Sequence, residues 1–245
     1  VQWIAILVVL ALCCGPAYAR SCTPVPSGIV SWWPGDVNEN DIIGSNNPSA
    51  VQEVSLVTAE VLDGFTFGSN GYIAVPASSS LANQQFTWDA WVRPDGPGST
   101  NDQYGSVILL QNVSETASAY DVIALDWSYS TSLFNFTFGE EDSETIFSKD
   151  TFPPGSFYLV AVTYDGTAFR LYVNGVLESS RRSKKTIQYS SVPWGFGQSF
   201  IQGGPGSGFR QWNGIIDEVQ AYNRALTRAE IKAIYRAGSA GVCKP

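Results

Sequence analysis

One carboxylate sits where a carboxylate is expensive. In the run Ile215-Ile216-Asp217-Glu218-Val219-Gln220-Ala221-Tyr222, strand-like alternation puts Ile215, Asp217, Val219 and Ala221 on one face and Ile216, Glu218, Gln220 and Tyr222 on the other. The first set is the more apolar, so Asp217 needs a hydrogen-bond donor, a cation or a metal ion beside it. Asp41, Asn46 and Asn47 form a polar loop toward the other end of the chain, and Cys22 and Cys243 bracket nearly everything between. Pairing those cysteines draws the Asp41 loop toward Asp217. One or two carboxylates with amide and backbone oxygens make calcium chemistry. Two readings therefore stand for Asp217: a calcium ligand shared with Asp41, Asn46 and Asn47, or an acceptor of backbone N–H groups from a neighbouring loop.

Aromatic residues supply the second kind of chemistry. Trp32, Trp33, Trp88 and Trp91 fall in strand-like contexts and read as core. Trp127, Tyr129, Trp194, Phe196 and Trp212 fall at strand ends or in Gly/Ser-rich loops, where a ring can stack on the C–H face of a sugar. They are the expected ligand surface. Arg181, Arg182, Lys184 and Lys185 form the one basic cluster and read as a solvated edge that guards against strand addition. Asn112-Val113-Ser114 and Asn135-Phe136-Thr137 are glycosylation sequons. The glycines at 203, 204, 206 and 208 read as a flexible loop.

Composition removes several classes of function. The 245 residues contain no histidine, which takes away the commonest general base and transition-metal ligand, and any Ser-His-Asp triad. An ion bound here needs oxygen ligands, calcium before zinc. A net charge of −8 argues against nucleic acid and anionic membranes as partners. Residues 4–14 form an uncharged apolar run followed by Ala17-Tyr18-Ala19, so 1–19 is expected to be a signal peptide whose basic start precedes Val1. The run is too short to span a bilayer. The expected product, residues 20–245, is a secreted protein of one domain. In an exported protein Cys22 and Cys243 read as a disulfide joining the two ends.

The elements that must position these groups are mostly strands. Residues 65–67 and 72–75 flank an expected turn at Gly68-Ser69-Asn70-Gly71, and residues 86–92 alternate with Phe86, Trp88, Ala90 and Val92 on one face. Asp165-Gly166 and Asn174-Gly175 sit between alternating apolar residues and predict two successive hairpins. One helix is expected, over 228–237. Thr227 and Glu230 have capping-box spacing, Leu226 and Ile231 can form a hydrophobic staple, and Gly238 follows the last turn. Many short strands and one terminal helix predict an all-β antiparallel sandwich, a jelly roll of two sheets.

Several segments together resemble one family: Ser27-Gly28-Ile29-Val30-Ser31-Trp32-Trp33-Pro34-Gly35-Asp36, Gly71-Tyr72-Ile73-Ala74-Val75-Pro76, Phe86-Thr87-Trp88-Asp89-Ala90-Trp91-Val92, Ala161-Val162-Thr163-Tyr164-Asp165-Gly166, and Leu171-Tyr172-Val173-Asn174-Gly175 with residues 212–238. They are similar to the LamG-like jelly-roll domains of the concanavalin A-like lectin/glucanase superfamily, relatives of pentraxins and laminin G domains. The resemblance implies a concave sheet face and, in many members, glycan binding or adhesion. Asp41, Asn46 and Asn47 match the family's polar N-terminal loop. Ser69, Asn70 and Gly71 stand where members often carry acids, and Asp89 where they usually carry glutamate. Glu140, Asp142 and Glu144 reproduce the E-x-D-x-E spacing of retaining glucanases of this fold, whose carboxyl groups lie about 5–5.5 Å apart. Here Glu141 and Ser143 replace the apolar residues between the acids, so the run reads as a solvated hairpin tip. The expectation is a secreted, non-catalytic module that binds an extracellular glycan or surface glycoprotein, with calcium as its one candidate cofactor.

Overall fold

The computed structural model describes residues 21–98, 106–114, 121–139, 144–200 and 210–245. The expected signal peptide and the glycines at 203, 204, 206 and 208 lie outside them. The described chain is all-β, with a single short α-helix near its C-terminus. The strands in chain order are β1 (Ile29–Trp33), β2 (Ala50–Thr58), β3 (Asp63–Val75), β4 (Phe86–Pro94), β5 (Ser106–Asn112), β6 (Asp121–Ser128) and β7 (Leu133–Phe138). They continue with β8 (Glu144–Phe147), β9 (Tyr158–Tyr164), β10 (Ala168–Val173), β11 (Val176–Arg182), β12 (Trp194–Phe196) and β13 (Gly214–Tyr222); α1 is Arg228–Ala237.

Two tight turns form where expected. Asn174 and Gly175 both have positive φ, 52° and 73°, the pair of values that a right-twisted two-residue hairpin demands. At the β9–β10 turn, Asp165 Oδ1 accepts the N–H groups of Thr167 and Ala168 at 2.8 and 2.9 Å, and Gly166 takes φ 84°. The expected turn at residues 68–71 appears as an excursion within β3: the register with β2 jumps from Gln52–Tyr72 to Val54–Phe67, so these four residues stand opposite Glu53 alone, itself at φ 47°. A side chain at Gly71 would meet the Glu53 carbonyl oxygen at 2.7 Å, so glycine here permits a close strand approach.

The ladders are antiparallel and form one continuous 13-stranded network in the order β11-β10-β9-β4-β13-β3-β12-β5-β6-β7-β8, with β1 on β13 and β2 on β3. The expected pair of separate sheets is therefore replaced by a sheet that curls nearly into a barrel. Its two ends approach each other at the Arg181–Glu144 ion pair, 3.6 Å. Continuity runs through β13, which gives Ile215 and Ile216 to β3 and Val219 to Tyr222 to β1, and through the short β12, which bridges β3 and β5.

The main core fills the inside of this curl and includes Trp33, Trp88, Trp127, Trp194, Phe136 and Phe196. A second apolar layer forms on the other face of β4, β9 and β10, where Trp91, Leu159, Ala161 and Tyr172 pack with Ile231 and Ile234 of α1. The helix is anchored as its sequence suggests. Thr227 and Glu230 make the reciprocal capping box, and Leu226 and Ile231 are buried in the second layer. The Cys22–Cys243 disulfide is present, and Thr23 pairs with Val242 beside it.

Candidate functional site

Asn112 at the end of β5 faces Asp121 at the start of β6, and Asp126 of β6 faces Asn135 of β7. Asp121 and Asp126 are an odd number of residues apart, so a regular strand would send them to opposite faces. The register shift between Gln111 and Asn112 is the kind of irregularity that turns an extra residue to the same side. Both carboxylates then reach Arg210, at 2.7 Å from Nη1 to Asp121 and 2.6 Å from Nη2 to Asp126. Asn112 Nδ2 donates to Asp121 at 2.7 Å, Asn135 Nδ2 donates to Asp126 at 3.2 Å, and Asn112 Oδ1 accepts the Phe200 N–H at 3.2 Å. The opposite face of β6 is core: Ile123, Leu125 and Trp127.

This array is buried, with Asp126 and Asn112 fully covered and Arg210 6 % exposed. One guanidinium faces two carboxylates. Burial pushes the Asp126 carboxyl up to about 7, against the pull of Arg210. Burial also works against the Arg210 cation, but the charges of Asp121 and Asp126 hold it above its ordinary range. Asp126 Oδ1 and Arg210 Nε are buried without a partner among the described residues. In a low-dielectric setting an unpaired donor or acceptor is costly, so these two atoms mark a place where the fold bears a penalty.

Sequence reasoning marked two members of this array for another reason. Asn112 and Asn135 are the sequon asparagines, yet both amides are buried and engaged, so the folded chain offers neither to a glycosyl-transferring enzyme. Asp121, Asp126 and Arg210 were missed. Asp126 carried a signal, as an acid inside the apolar run 122–127, the same kind of oddity that drew attention to Asp217.

The expected aromatic surface is largely core. Trp127, Trp194, Phe196 and Trp212 are all at most 1 % exposed. Trp194 lies 4.6 Å from Trp88, and Trp127 donates its indole N–H to the Phe152 carbonyl at 3.0 Å. Strands β6 and β12 turn these rings inward, where large apolar area is worth most. Tyr129 alone of the five presents a face, 45 % exposed, with its ring centroid 6.1 Å from that of Trp127 in an edge-to-face arrangement.

The residues named as calcium ligands are engaged otherwise. Asp41 accepts backbone N–H groups from Trp32, Ile43 and Gly44 on Oδ1 and from Asn46 on Oδ2, at 2.9 to 3.1 Å. Asn47 Oδ1 accepts the Asp41 N–H, and Asn46 Nδ2 donates to Ser31 and Ser80. Asp217 Oδ2 accepts the Val61 N–H at 2.9 Å, which is the second of its two expected roles. No group of three or more His, Cys, Asp or Glu poised to hold a metal occurs among the described residues. Both Asp41 oxygens and Asp217 Oδ2 accept backbone N–H groups, whereas Asp217 Oδ1 is buried without a hydrogen-bond partner among the described residues.

The face assignment along β13 also changes. Glu218 has φ 56° and the pairing with β4 slips between Asp217 and Gln220. This bulge places Ile216 with Val219 and Ala221 in the main core and leaves Asp217 beside Gly64 on the other side. Burial first, and then the charge of Glu218, push the Asp217 carboxyl well up. Of the E-x-D-x-E run, Glu140 and Asp142 lie outside the described residues, and Glu144 pairs with Arg181.

A family model for the concanavalin A-like lectin/glucanases superfamily matches residues 67–232. The chain belongs to that superfamily. No curated protein sequence matches it. Among solved structures, domain 4 of an extracellular arabinanase from Geobacillus stearothermophilus, in complex with arabinotriose, is similar at TM-score 0.65 and 14 % identity, covering 83 % of this chain and 96 % of that one. Trypanosoma rangeli sialidase, in complex with the inhibitor DANA, is similar at TM-score 0.63 and 19 % identity over 89 % of this chain, which spans 35 % of the sialidase. The binding domain of Paraclostridial Mosquitocidal Protein 1 gives 0.64 and 17 %, with coverages of 85 % and 52 %. Identities this low speak to the fold alone. They correct one expectation: domains of this shape occur in an arabinanase and a sialidase, so the expectation of a chain that is not an enzyme does not stand.

Proposed function

We propose that this chain is an exported glycan-recognition domain, and that the Arg210–Asp121–Asp126 array of strands β5 to β7 orders its sugar-binding end. The array carries the reading. Carboxylates, amides and a guanidinium converge on one face of a sheet in a buried network, and such a network holds strands β5 to β7, and the loops that follow them, in one arrangement. Tyr129, three positions beyond Asp126 in sequence, supplies the exposed ring. The similar arabinanase domain was solved with arabinotriose, which makes arabinan oligosaccharides the first ligands to try.

A glycan array probed with residues 20–245, followed by calorimetric titration of each hit, tests this. Binding of at least one oligosaccharide is expected, weakened about tenfold in Tyr129→Ala through loss of roughly 1.4 kcal/mol of stacking. An array without any hit overturns the proposal.

A further inference from the structure

Five strand positions round the sheet from the Arg210 array's β6, the last turn of α1 and the outer face of β4 leave an open cleft of about 250 Å³, lined by Glu60, Trp91, Phe157, Tyr235, Arg236 and Gly238. It is separate from the polar array, since β13, β3 and β12 stand between β4 and β5 in the sheet. We infer that this cleft is a second carbohydrate subsite, which takes one neutral sugar ring. The inference rests on the glycan reading of the domain and assigns it a distinct place.

Three aromatic rings converge here. The Trp91 and Tyr235 centroids lie 5.8 Å apart with their planes tilted by 34°, and Phe157 and Tyr235 are both half-buried. Phe157 and Tyr235 are packed on one side and partly exposed on the other, over Trp91, which is 4 % exposed, and such rings suit the apolar C–H face of a pyranose or furanose. The polar lining suits the hydroxyls at the ring's edge: Glu60 brings a carboxylate, and Arg236 an exposed guanidinium.

Volume and charge narrow the ligand. Drug-sized ligands occupy about 300–1,000 Å³, so the cleft holds one ring and not a chain of them. The charges of Glu60 and Arg236 cancel. Arg93, stacked 5.5 Å over the Phe157 ring, is already paired with Asp95 through bonds of 2.7 and 2.9 Å. The lining therefore has no excess charge to attract a uronic or sialic acid. A quaternary ammonium would need open aromatic faces, and Phe157 already lends one to Arg93, with the second cation Arg236 on the rim.

The test is a ¹H–¹⁵N titration of residues 20–245 with L-arabinose, D-galactose, N-acetylneuraminic acid and choline in turn. With arabinose or galactose, the Trp91 indole N–H and the Tyr235 and Arg236 amides are expected to shift together and saturate at millimolar ligand. Arg236→Ala alters an exposed side chain and leaves the fold intact; it is expected to weaken that binding about tenfold, the worth of one charged hydrogen bond. Tyr235→Ala is expected to abolish it, with the melting curve reporting any loss of fold. Three outcomes overturn the inference: no shift at these residues with either neutral sugar, shifts with choline or N-acetylneuraminic acid alone, or neutral-sugar binding that Arg236→Ala leaves unchanged. An oligosaccharide that binds the intact domain while Trp91 stays silent removes the second subsite and leaves the glycan reading standing. If no array glycan and no sugar binds, both fall.

Discussion

The Glu218 carboxylate accepts a hydrogen bond of 2.5 Å from the indole N–H of Trp32, a residue 186 positions earlier in the chain. Its other oxygen makes an ion pair with Lys244 Nζ at 2.6 Å, and the same ammonium reaches Asp36 at 2.5 Å. The two ends of the chain are therefore joined by charge as well as by the Cys22–Cys243 bridge. Lys244→Met keeps most of the side-chain volume and leaves Asp36 and Glu218 facing each other near Asp217. Breaking a fully buried pair costs about 3–5 kcal/mol, and because Lys244 is 25 % exposed the expected loss is smaller, about 1–3 kcal/mol. Urea unfolding measures it, and a midpoint equal to that of the parent protein refutes the role.

Stability should rise as the solution is acidified from pH 8 toward pH 5. Burial pushes Glu218 up to about 7, partly offset by Lys244 and Trp32, and Asp126 likewise to about 7. A carboxyl whose folded pKa is raised takes up its proton more readily folded than unfolded. Its contribution is complete below the unfolded value of about 4 and is lost as pH rises through 7. The melting temperature is expected to climb across this window and to flatten in Glu218→Gln or Asp126→Asn. A melting temperature that falls on acidification from 8 to 6 contradicts the sign.

Asp41 is a loop clamp. Its carboxylate gathers four backbone N–H groups, and Asp41→Ala leaves them without an acceptor at a buried position. With roughly 1–3 kcal/mol for each group left unsatisfied, and water reaching some of them, the expected loss is about 3 kcal/mol or more. The same geometry predicts equal melting temperatures in millimolar calcium and in chelator. A calcium-dependent rise would restore Asp41 as a ligand.

The disulfide closes a loop of 221 residues. Chain entropy sets an upper figure of about 5 kcal/mol for that constraint. The double variant Cys22→Ser/Cys243→Ser is expected to lose 2–5 kcal/mol of that order in chemical unfolding while keeping its strand signature in circular dichroism.

Local patterns carried the hairpins, the capped helix and the paired ends, because turn chemistry and capping depend on adjacent residues. What alternation alone missed lies at bulges. Glu218 shifts the faces of β13, the slip at Gln111/Asn112 brings Asp121 round to Asp126, and Glu53 lets β2 resume its pairing with β3 on either side of residues 68–71. A bulge is decided by the partner strand, so its own segment carries little sign of it. The aromatic residues misled for a related reason. Trp194 and Trp212 lie in glycine-rich surroundings that read as surface, yet the curl of the sheet folds these segments over the core, where a large ring gains most. Asp217 was legible as an acid in an apolar run, and Asp126, which was missed, carried the same sign. Their partners, Val61 and Arg210, are 156 and 84 residues away.

Arg210 offers the sharpest test of the array that the functional reading rests on. Its guanidinium separates two buried carboxylates, and it holds them from a left-handed backbone conformation, φ 54°, that a non-glycine residue adopts at some cost. Arg210→Met removes the cation and leaves Asp121 and Asp126 with only each other and two amides. A stability loss of about 3–5 kcal/mol is expected at pH 8. Much of it should vanish at pH 5, where Asp126 is protonated in the folded state, since a neutral carboxyl needs no counter-ion. Adding Asp126→Asn to Arg210→Met should return part of the loss at pH 8, and the resulting double-mutant cycle gives the coupling directly. If the array holds the sugar-binding end, Asp126→Asn alone should weaken oligosaccharide binding more than it lowers the melting temperature, because it alters the hydrogen bonds that set β6 ahead of Tyr129 while relieving a buried charge. Equal affinity in Asp126→Asn and the parent protein would reduce the array to a structural clamp.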